Sequence, residues 1–250
     1  MIRKAGLIAV CVVLLSATGA SAQSEGLPSL QISLGDGSDP QGLSSALKIL
    51  LLLTVLSLAP SLLVMVTSFT RTVVVLGFLR QAMGTHTMPS NQVVIGLSLF
   101  ITVFIMLPVF RQANQAGIKP YIEGRMDYQT AMDETVKPFR TFMLSQTREK
   151  DLALFISLGR GPKPQNVDDI SLFSLIPAFM ISELKTAFII GFLIYLPFLL
   201  VDLVVASVLM SMGMMMLPPI MISLPFKLLI FVLADGWYLV VGSLIRSFAP

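Results

Sequence analysis

The residues of this chain most able to support chemistry are a run of methionines and a few isolated charges in an apolar C-terminal stretch. Residues 210–216 have the sequence MSMGMMM and hold five of the chain's 15 methionines. Ionisable side chains in apolar segments usually face a protein interior, a partner or an aqueous path. Between residues 171 and 245 these are Glu183, Lys185, Asp202, Lys227 and Asp235. Together, these residues predict a membrane assembly with an interior through which something passes.

The methionine cluster has three interpretations. Thioethers are soft ligands that select Cu(I), but the chain has a single histidine, His86, far away in sequence. Methionines also fill irregular gaps in ordinary cores. Alternatively, several copies of this loop could form a compliant seal that blocks ions by dewetting. Gly213 would then give the loop its freedom, Pro218 and Pro219 would fix one end, and the sealing residues would be Met210, Met212, Met214, Met215 and Met216.

The isolated charges also allow more than one interpretation. Glu183 and Lys185 are two residues apart, so they point to different faces of a helix and should not pair with each other. Pairing between helices or subunits is the structural interpretation, and Glu183 with Lys227 is one such pair. A proton relay is the functional alternative, and exposure at an interface is the third.

Neither catalysis nor nucleic-acid binding has support in the sequence. The chain contains no HExxH, GxSxG or DxD-type motif, and His86 has no evident catalytic partner. The net charge of +3 is spread out, without the basic clusters interleaved with aromatics that bind nucleic acids. We therefore predict no catalytic residue, no metal and no cofactor.

The composition is typical of a membrane protein. Hydrophobic residues make up 55 % of the chain, charged residues 12 %, and the mean hydropathy is +0.84. A soluble chain carries about 25 % charged residues, so this one needs lipid or partner subunits to cover its surface. Residues 49–70 and 81–110 contain no Asp, Glu, Lys or Arg, and each can hold a membrane-crossing helix of about 20 residues.

The N-terminus has the pattern of a cleavable signal peptide over residues 1–22, with an uncleaved anchor as the alternative. A basic start and a short apolar run precede the small residues Ala20, Ser21 and Ala22. The only cysteine, Cys11, lies inside this segment, so the mature chain would have no disulfide and no thiolate site. Residues 23–43 are rich in Ser, Gly, Asp and Pro and predict a flexible extracytoplasmic N-terminus.

The remaining chain is predicted to be all-α, in three regions. Residues 44–110 form a first hydrophobic helical hairpin, with a short helix from which Arg71 and Arg80 snorkel at an interface. Residues 171–250 form a second hydrophobic helical region, in which one segment ends near Val201 and the methionine-rich gating loop follows.

Between these hydrophobic regions, residues 111–170 carry nine Lys/Arg and eight Asp/Glu, and they predict a small, mostly helical domain. A cleaved signal places this domain outside the cytoplasm, whereas its nine cations favour the opposite side. We follow the signal, because the anions nearly balance the cations. An apolar stripe at near-helical spacing in this domain consists of Phe139, Phe142, Met143 and Phe155.

Several stretches of the sequence resemble the FliP family, core subunits of the flagellar type III protein export gate, a family related to the SctR-type subunits of virulence injectisomes. The resemblance extends from about Leu43 to the C-terminus. It rests on SFTRTVVVLGFLRQAMG (68–84), PAFMISELKTAFIIGF (177–192), PFLLVDLVVASVLMSMGMMMLPP (197–219) and LPFKLLIFVLADGW (224–237).

This resemblance implies a function and partners. Family members assemble as a pentamer with FliQ and FliR type subunits into an oligomeric helical pore complex in the bacterial inner membrane, at the flagellar basal body. Unfolded flagellar proteins pass through the pore, and other membrane proteins of the export apparatus adjoin it. The family's methionine loop is a gasket around the closed pore, and it corresponds here to residues 210–216. An injectisome gate subunit is the alternative, and a small-solute or ion transporter is a more distant one.

Overall fold

The structure is a computed structural model that describes residues 40–85, 87–159, 164–214 and 217–248. Within these ranges the chain forms helices and no strands, so the all-α prediction is confirmed. The predicted signal peptide and residues 23–39 of the N-terminal segment lie outside them. In chain order the elements are α1 (Pro40–Met65), α2 (Phe69–Ala82), α3 (Asn91–Ala113), a π-helical turn (Asn114–Ile118), α4 (Lys119–Ile122), α5 (Tyr128–Gln146), α6 (Glu149–Leu158), a 3₁₀ turn (Val167–Asp169), α7 (Leu172–Ser211), α8 (Pro219–Leu233) and α9 (Gly236–Arg246).

Among the residues that the structure describes, three helical stretches are long and apolar enough to cross a membrane. They are Leu47–Met65 within α1, Asn91–Ile122 from α3 through α4, and the whole of α7. Helices α8 and α9 would make a fourth only if they count as one span, since they meet at a bend of 65°. The predicted break after Val201 is wrong, because α7 continues without interruption to Ser211.

The chain divides into two units, residues 1–56 and 57–250. In the first unit, α1 exposes large apolar side chains at consecutive positions, including Leu50, Leu51, Leu52 and Leu53. Consecutive positions point to different sides of a helix, so this segment is apolar all around. Such a helix is stable only when lipid or other protein surrounds it.

Helix α2 forms the centre of the second unit, where it packs against α3 and α7. Val75, Leu79 and Ala82 recur at helical spacing and are buried in one hydrophobic core with side chains of α3, α7, α8 and α9. The contact with α7 is close: a Cβ added to Gly191 would come within 2.5 Å of the Phe78 ring. Helix α2, which the sequence predicted to be a short helix at an interface, is therefore the most enclosed element of the second unit.

Arg71, near the start of α2, does not snorkel as the sequence suggested, because it is only 2 % exposed. Its guanidinium forms an ion pair with Glu183 of α7 through two hydrogen bonds, one of them 2.9 Å from Nε to Oε2. It also donates to the Gln146 side chain at 3.0 Å and to the carbonyl oxygen and hydroxyl of Ser247 at 2.9 and 3.1 Å. The Phe248 ring covers its face, 3.8 Å from Cζ.

All five N–H donors of this guanidinium therefore have acceptors on three other parts of the chain. Glu183 belongs to α7, Gln146 to the end of α5, and Ser247 to the turn after α9. Because a buried charge is tolerated only when it is paired and hydrogen-bonded, Arg71 fixes these elements around α2. The predicted pairing of Glu183 with Lys227 is wrong, since Arg71 is the cation that Glu183 contacts.

The polar region, residues 111–170, is helical, and its helices pack against the apolar ones. Helix α5 contacts α3 and α7, and α6 contacts α7. The predicted stripe is confirmed for two of its four residues. Met143 is buried in a second core, and Phe142 packs there against Phe179, with ring centroids 6.0 Å apart. Phe139 contacts Phe110 of α3 instead, and Phe155 is half-buried.

Helix α6 is attached to α7 by a polar contact. The Ser182 hydroxyl donates to the Asp151 carboxylate at 2.6 Å and accepts the backbone N–H of Arg148 at 3.1 Å. The Arg148 side chain also pairs with Asp151. The pKa of this carboxyl lies below its usual range, first because of the Ser182 hydrogen bond and then because of Arg148, although burial acts against both.

We expect Glu183→Ala to lower the free energy of unfolding by about 3–5 kcal/mol, because it leaves the Arg71 charge buried and uncompensated. Replacing both partners, as in Arg71→Met with Glu183→Leu, should cost much less. Denaturant titration in detergent measures this, and Lys185→Ala, at an exposed position on the same helix, is the matched control. A double variant no more stable than Glu183→Ala would contradict the pairing.

We expect the α6–α7 contact to weaken in acid. A carboxylate with a depressed folded pKa stabilises the fold fully above its ordinary pKa of about 3.9, and loses this contribution as pH falls through the lower folded value. Asp151→Asn should remove this dependence and expose α6 at neutral pH, with Asp133→Asn, at an exposed position of α5, as control. Hydrogen exchange of the α6 amides measures it, and equal acid sensitivity in Asp151→Asn would refute the assignment.

Candidate functional site

The described residues of the methionine-rich segment include the end of α7 and the turn that follows it, before α8. Helix α7 ends at Ser211 with Met212 as its C-cap, and α8 begins at Pro219. Along α7 and α8 next to this turn lies an apolar groove of about 540 Å³. It is lined by Leu200, Val201, Val204, Val205, Val208, Leu209, Ile222, Phe226 and Ile230. The turn therefore closes an apolar two-helix arm.

Hydrogen bonds define the conformation with which α7 ends. The backbone N–H of Met214 donates to Leu209 O at 3.0 Å, and that of Gly213 donates to Met210 O at 3.1 Å. This is the Schellman motif, which requires the left-handed region after the C-cap. Gly213 has φ +75°, which glycine adopts without steric cost. The residue predicted as a hinge is thus the one that stops the helix.

Prolines define where α8 begins. Pro218 is its N-cap and Pro219 its first residue, where the fixed φ of proline suits the start of a helix. Pro218 and Pro219, which the sequence predicted to fix one end of the loop, therefore form the N-terminus of α8. Between the glycine and the prolines, the backbone N–H of Leu217 lies 3.4 Å from Met214 O.

The structure describes three of the five predicted gasket residues. Met210, Met212 and Met214 all have exposed side chains, and they bracket the Schellman turn. Met215 and Met216 lie outside the described residues. The interpretation of the described three as core filler is excluded within this chain, because their side chains are not buried in it.

A second ion pair, with a buried lysine and a partly buried carboxylate, joins the two helices of this arm. Lys227 Nζ of α8 lies 2.6 Å from Asp202 Oδ2 of α7. The Ser223 hydroxyl donates to the other carboxylate oxygen at 2.5 Å. Ser223 and Lys227 are four residues apart and so share one face of α8. Asp202, expected to follow the end of a segment, lies inside α7, where its charge is compensated across the arm.

The remaining predicted charges have different surroundings. Lys185 is exposed on α7, on a different face from Glu183, as the spacing predicted. Asp235 is exposed at the bend between α8 and α9, where its φ of +50° is left-handed. After it, Gly236 leaves room for the Phe231 ring, which would lie 2.2 Å from an added Cβ. Asp235 therefore shapes the bend between α8 and α9.

Sequence reasoning missed the parts that Arg71, Gln146, Ser247 and Ser223 play in these networks. The spacing of Ser223 from Lys227 on one apolar face was a signal that could have identified it. The role of Arg71 had no local signal, because its partners lie 75 to 176 residues away along the chain. Within the described ranges, no group of three or more His, Cys, Asp or Glu residues could hold a metal ion.

Comparison with known proteins gives a consistent result. The FliP family profile matches residues 52–244. The chain is 54 % identical to flagellar biosynthetic protein FliP of Bacillus subtilis (strain 168) over 217 residues, which cover 87 % of this chain and 98 % of the relative. It is 51 % identical to the protein of the same name from Caulobacter vibrioides over 251 residues, 99 % of this chain and 92 % of the relative.

The protein of the same name from Aquifex aeolicus is 48 % identical over 242 residues, which cover 96 % of this chain and 98 % of the relative. The matched family region includes the Arg71–Glu183 pair, the Asp202–Lys227 pair and the methionine-rich turn. A full-length match at this identity, on an all-helical chain with membrane-length apolar helices, leads to one assignment: the chain belongs to the FliP family of flagellar biosynthetic proteins.

Proposed function

We propose that this chain is a pore-forming subunit of the flagellar type III protein export gate, which passes unfolded flagellar proteins during flagellum assembly. The observation that carries the proposal is the α7–α8 arm, which presents exposed thioethers at its tip. The partly buried Asp202–Lys227 ion pair joins the two helices behind that tip. Such an arm combines a rigid support with a deformable, apolar end, as a seal around a passing chain requires.

Assembly with other chains is part of the proposal. Large apolar side chains are exposed along α1, α3, α7 and α8, from Leu50 to Leu233. Contiguous apolar surface of this extent belongs to protein or lipid interfaces. We infer a homo-oligomer, a pentamer by family resemblance, completed by FliQ and FliR type subunits, in the bacterial inner membrane with residues 111–170 on the periplasmic side.

The chain's role in this gate is structural rather than enzymatic. The transporter alternative needs a carboxylate that is free to bind a solute or ion. Glu183 and Asp202, its two candidates, each contact a cation of the same chain, and this favours the gate. The injectisome alternative is less favoured, because the relatives at about half identity carry flagellar names.

The mass of the detergent-extracted complex tests the assembly. We expect a large homo-oligomer that grows when FliQ and FliR type subunits are co-expressed. A stable monomer that transports a solute on its own would refute the proposal and favour the transporter.

We expect alanine at the five methionines of residues 210–216 to raise ion leak through the assembled gate several-fold. Shortened side chains leave a gap in which water and ions are no longer excluded. Leak is measured in vesicles that contain the assembled complex. Met221→Ala, exposed on α8 outside the turn, is the matched control and should leave the leak unchanged. An unchanged leak in the alanine variant would count against the seal.

We expect Lys227→Ala to reduce the yield of assembled complex more than it reduces export per complex. The substitution leaves Asp202 without its cation, and so loosens the α7–α8 arm before assembly. Replacing both Asp202 and Lys227 with alanine should restore part of the yield. Complex yield is measured by affinity purification and export by secreted flagellar protein. Normal yield with lost export would reverse the assignment.

A further inference from the structure

The α7–α8 arm leaves the core of its own chain at one level of the fold. Along the first part of α7, side chains from Leu175 to Phe198 are buried at intervals against other helices of the same chain. Among residues 199–211, by contrast, only Leu209 is buried. This outer part packs along α8, to which the second ion pair joins it. The part of α7 that its own core holds therefore ends at Phe198.

Both helices of the arm are interrupted at this same level. In α7, Pro197 has no N–H to donate to the carbonyl oxygen of Leu193, and its ring crowds that carbonyl, so the helix is weakened there. Helix α8 meets α9 at an angle of 65°, at Asp235 and Gly236. Pro197 and Gly236 line one cavity of about 220 Å³. The two interruptions therefore lie close together at the base of the arm.

We propose that Pro197 and the Asp235–Gly236 bend form one hinge, on which the arm swings as a rigid body and carries the methionine-rich turn away from the pore axis. The inference rests on the proposed function, because it concerns how the same seal opens. Hinges absorb a change of backbone angle at a few positions where helices end or are broken. Asp235 already has a left-handed φ of +50°, a conformation that non-glycine residues adopt mostly at strained or switching sites.

A single proline in one helix of the arm is not sufficient for such a swing, as Pro225 shows. Ser223 and Lys227, on either side of Pro225, both contact Asp202 of α7. Residues 198–211 of α7 contain no proline or glycine, so an uninterrupted helix supports α8 at this point. The arm should therefore stay rigid between its tip and its base. Only at the base are both of its helices interrupted together.

A small rotation at the hinge produces a large displacement at the tip. Helix α8 has 15 residues, and a rise of about 1.5 Å per residue makes the arm roughly 22 Å long. A swing of about 15° would then move the tip by roughly 6 Å. The ion pair and the main-chain hydrogen bonds of the turn remain intact during this motion. Closure would therefore restore the same seal.

The test measures distances between spin labels on different copies of the chain in the assembled gate. Cys11 is replaced by serine, and the label is attached either at Ser207→Cys, beyond the hinge, or at Phe192→Cys, before it. An unfolded flagellar protein joined to a folded domain is arrested in the pore to hold the gate open. We expect the Ser207 distances to lengthen by several Å and the Phe192 distances to stay constant. Equal changes at both sites, or no change at Ser207, would overturn the hinge.

Variants at the proline test whether the motion is needed for export. Pro197→Ala restores the backbone donor and stiffens α7, so we expect export per assembled gate to fall several-fold and the Ser207 distances to stop responding. Pro197→Gly keeps the backbone flexible and should export nearly as well as the wild type. Pro225→Ala, at another exposed proline inside a helix of the arm, is the matched control and should export normally. Normal export by Pro197→Ala would contradict the proposal.

The wild-type chain separates failure of the hinge from failure of the proposed function. If it assembles and exports while the Ser207 distances stay fixed, the hinge alone is refuted. If it yields no assembled gate, or a gate that exports nothing, the proposed function fails and the hinge fails with it.

Discussion

Arg71 is a cation enclosed by protein near the start of a helix whose residues are all buried or partly buried, except Gln81. Such a charge is tolerated only if every donor finds an acceptor, and those acceptors come from α5, α7 and the turn after α9. Elements that are distant in sequence must therefore meet at one point. The apolar side chains supply most of the attraction between helices, but they specify no register by themselves. The guanidinium supplies that register through directional bonds.

The second ion pair, between Asp202 and Lys227, joins α7 to α8 nearer to the methionine-rich turn. Phe78 lies against Gly191 some way beyond the Arg71–Glu183 contact, so α2 and α7 run side by side in the same direction. Beyond the end of α2, an added Cβ on Gly84 would lie 3.9 Å from Lys227 Nζ. The two ion pairs thus stand near opposite ends of α2. The hydrophobic core around α2 therefore also contains side chains from the base of the α7–α8 arm, such as Phe198 and Phe231.

The sequence was sufficient for some features and insufficient for others, for physical reasons. The helical class and the end of the methionine-rich segment at Pro218 and Pro219 follow from local composition and backbone preference. The continuation of α7 through Asp202 does not. A carboxylate inside an apolar run indicates a break unless its cation is known, and that cation is 25 residues away. The pairing of Glu183 with Arg71 rather than Lys227 depends on distances between segments, which no spacing rule contains.

The length of α7 has a consequence for the life of a newly made chain. Forty residues at about 1.5 Å each give a rod of roughly 60 Å, whereas a hydrocarbon core is about 30 Å thick. Exposed apolar side chains extend from Phe173 near one end to Met210 near the other. Lipid can shelter only about half of such a rod, even when the rod stands upright. A newly made chain would therefore need other protein to cover the rest of this apolar surface.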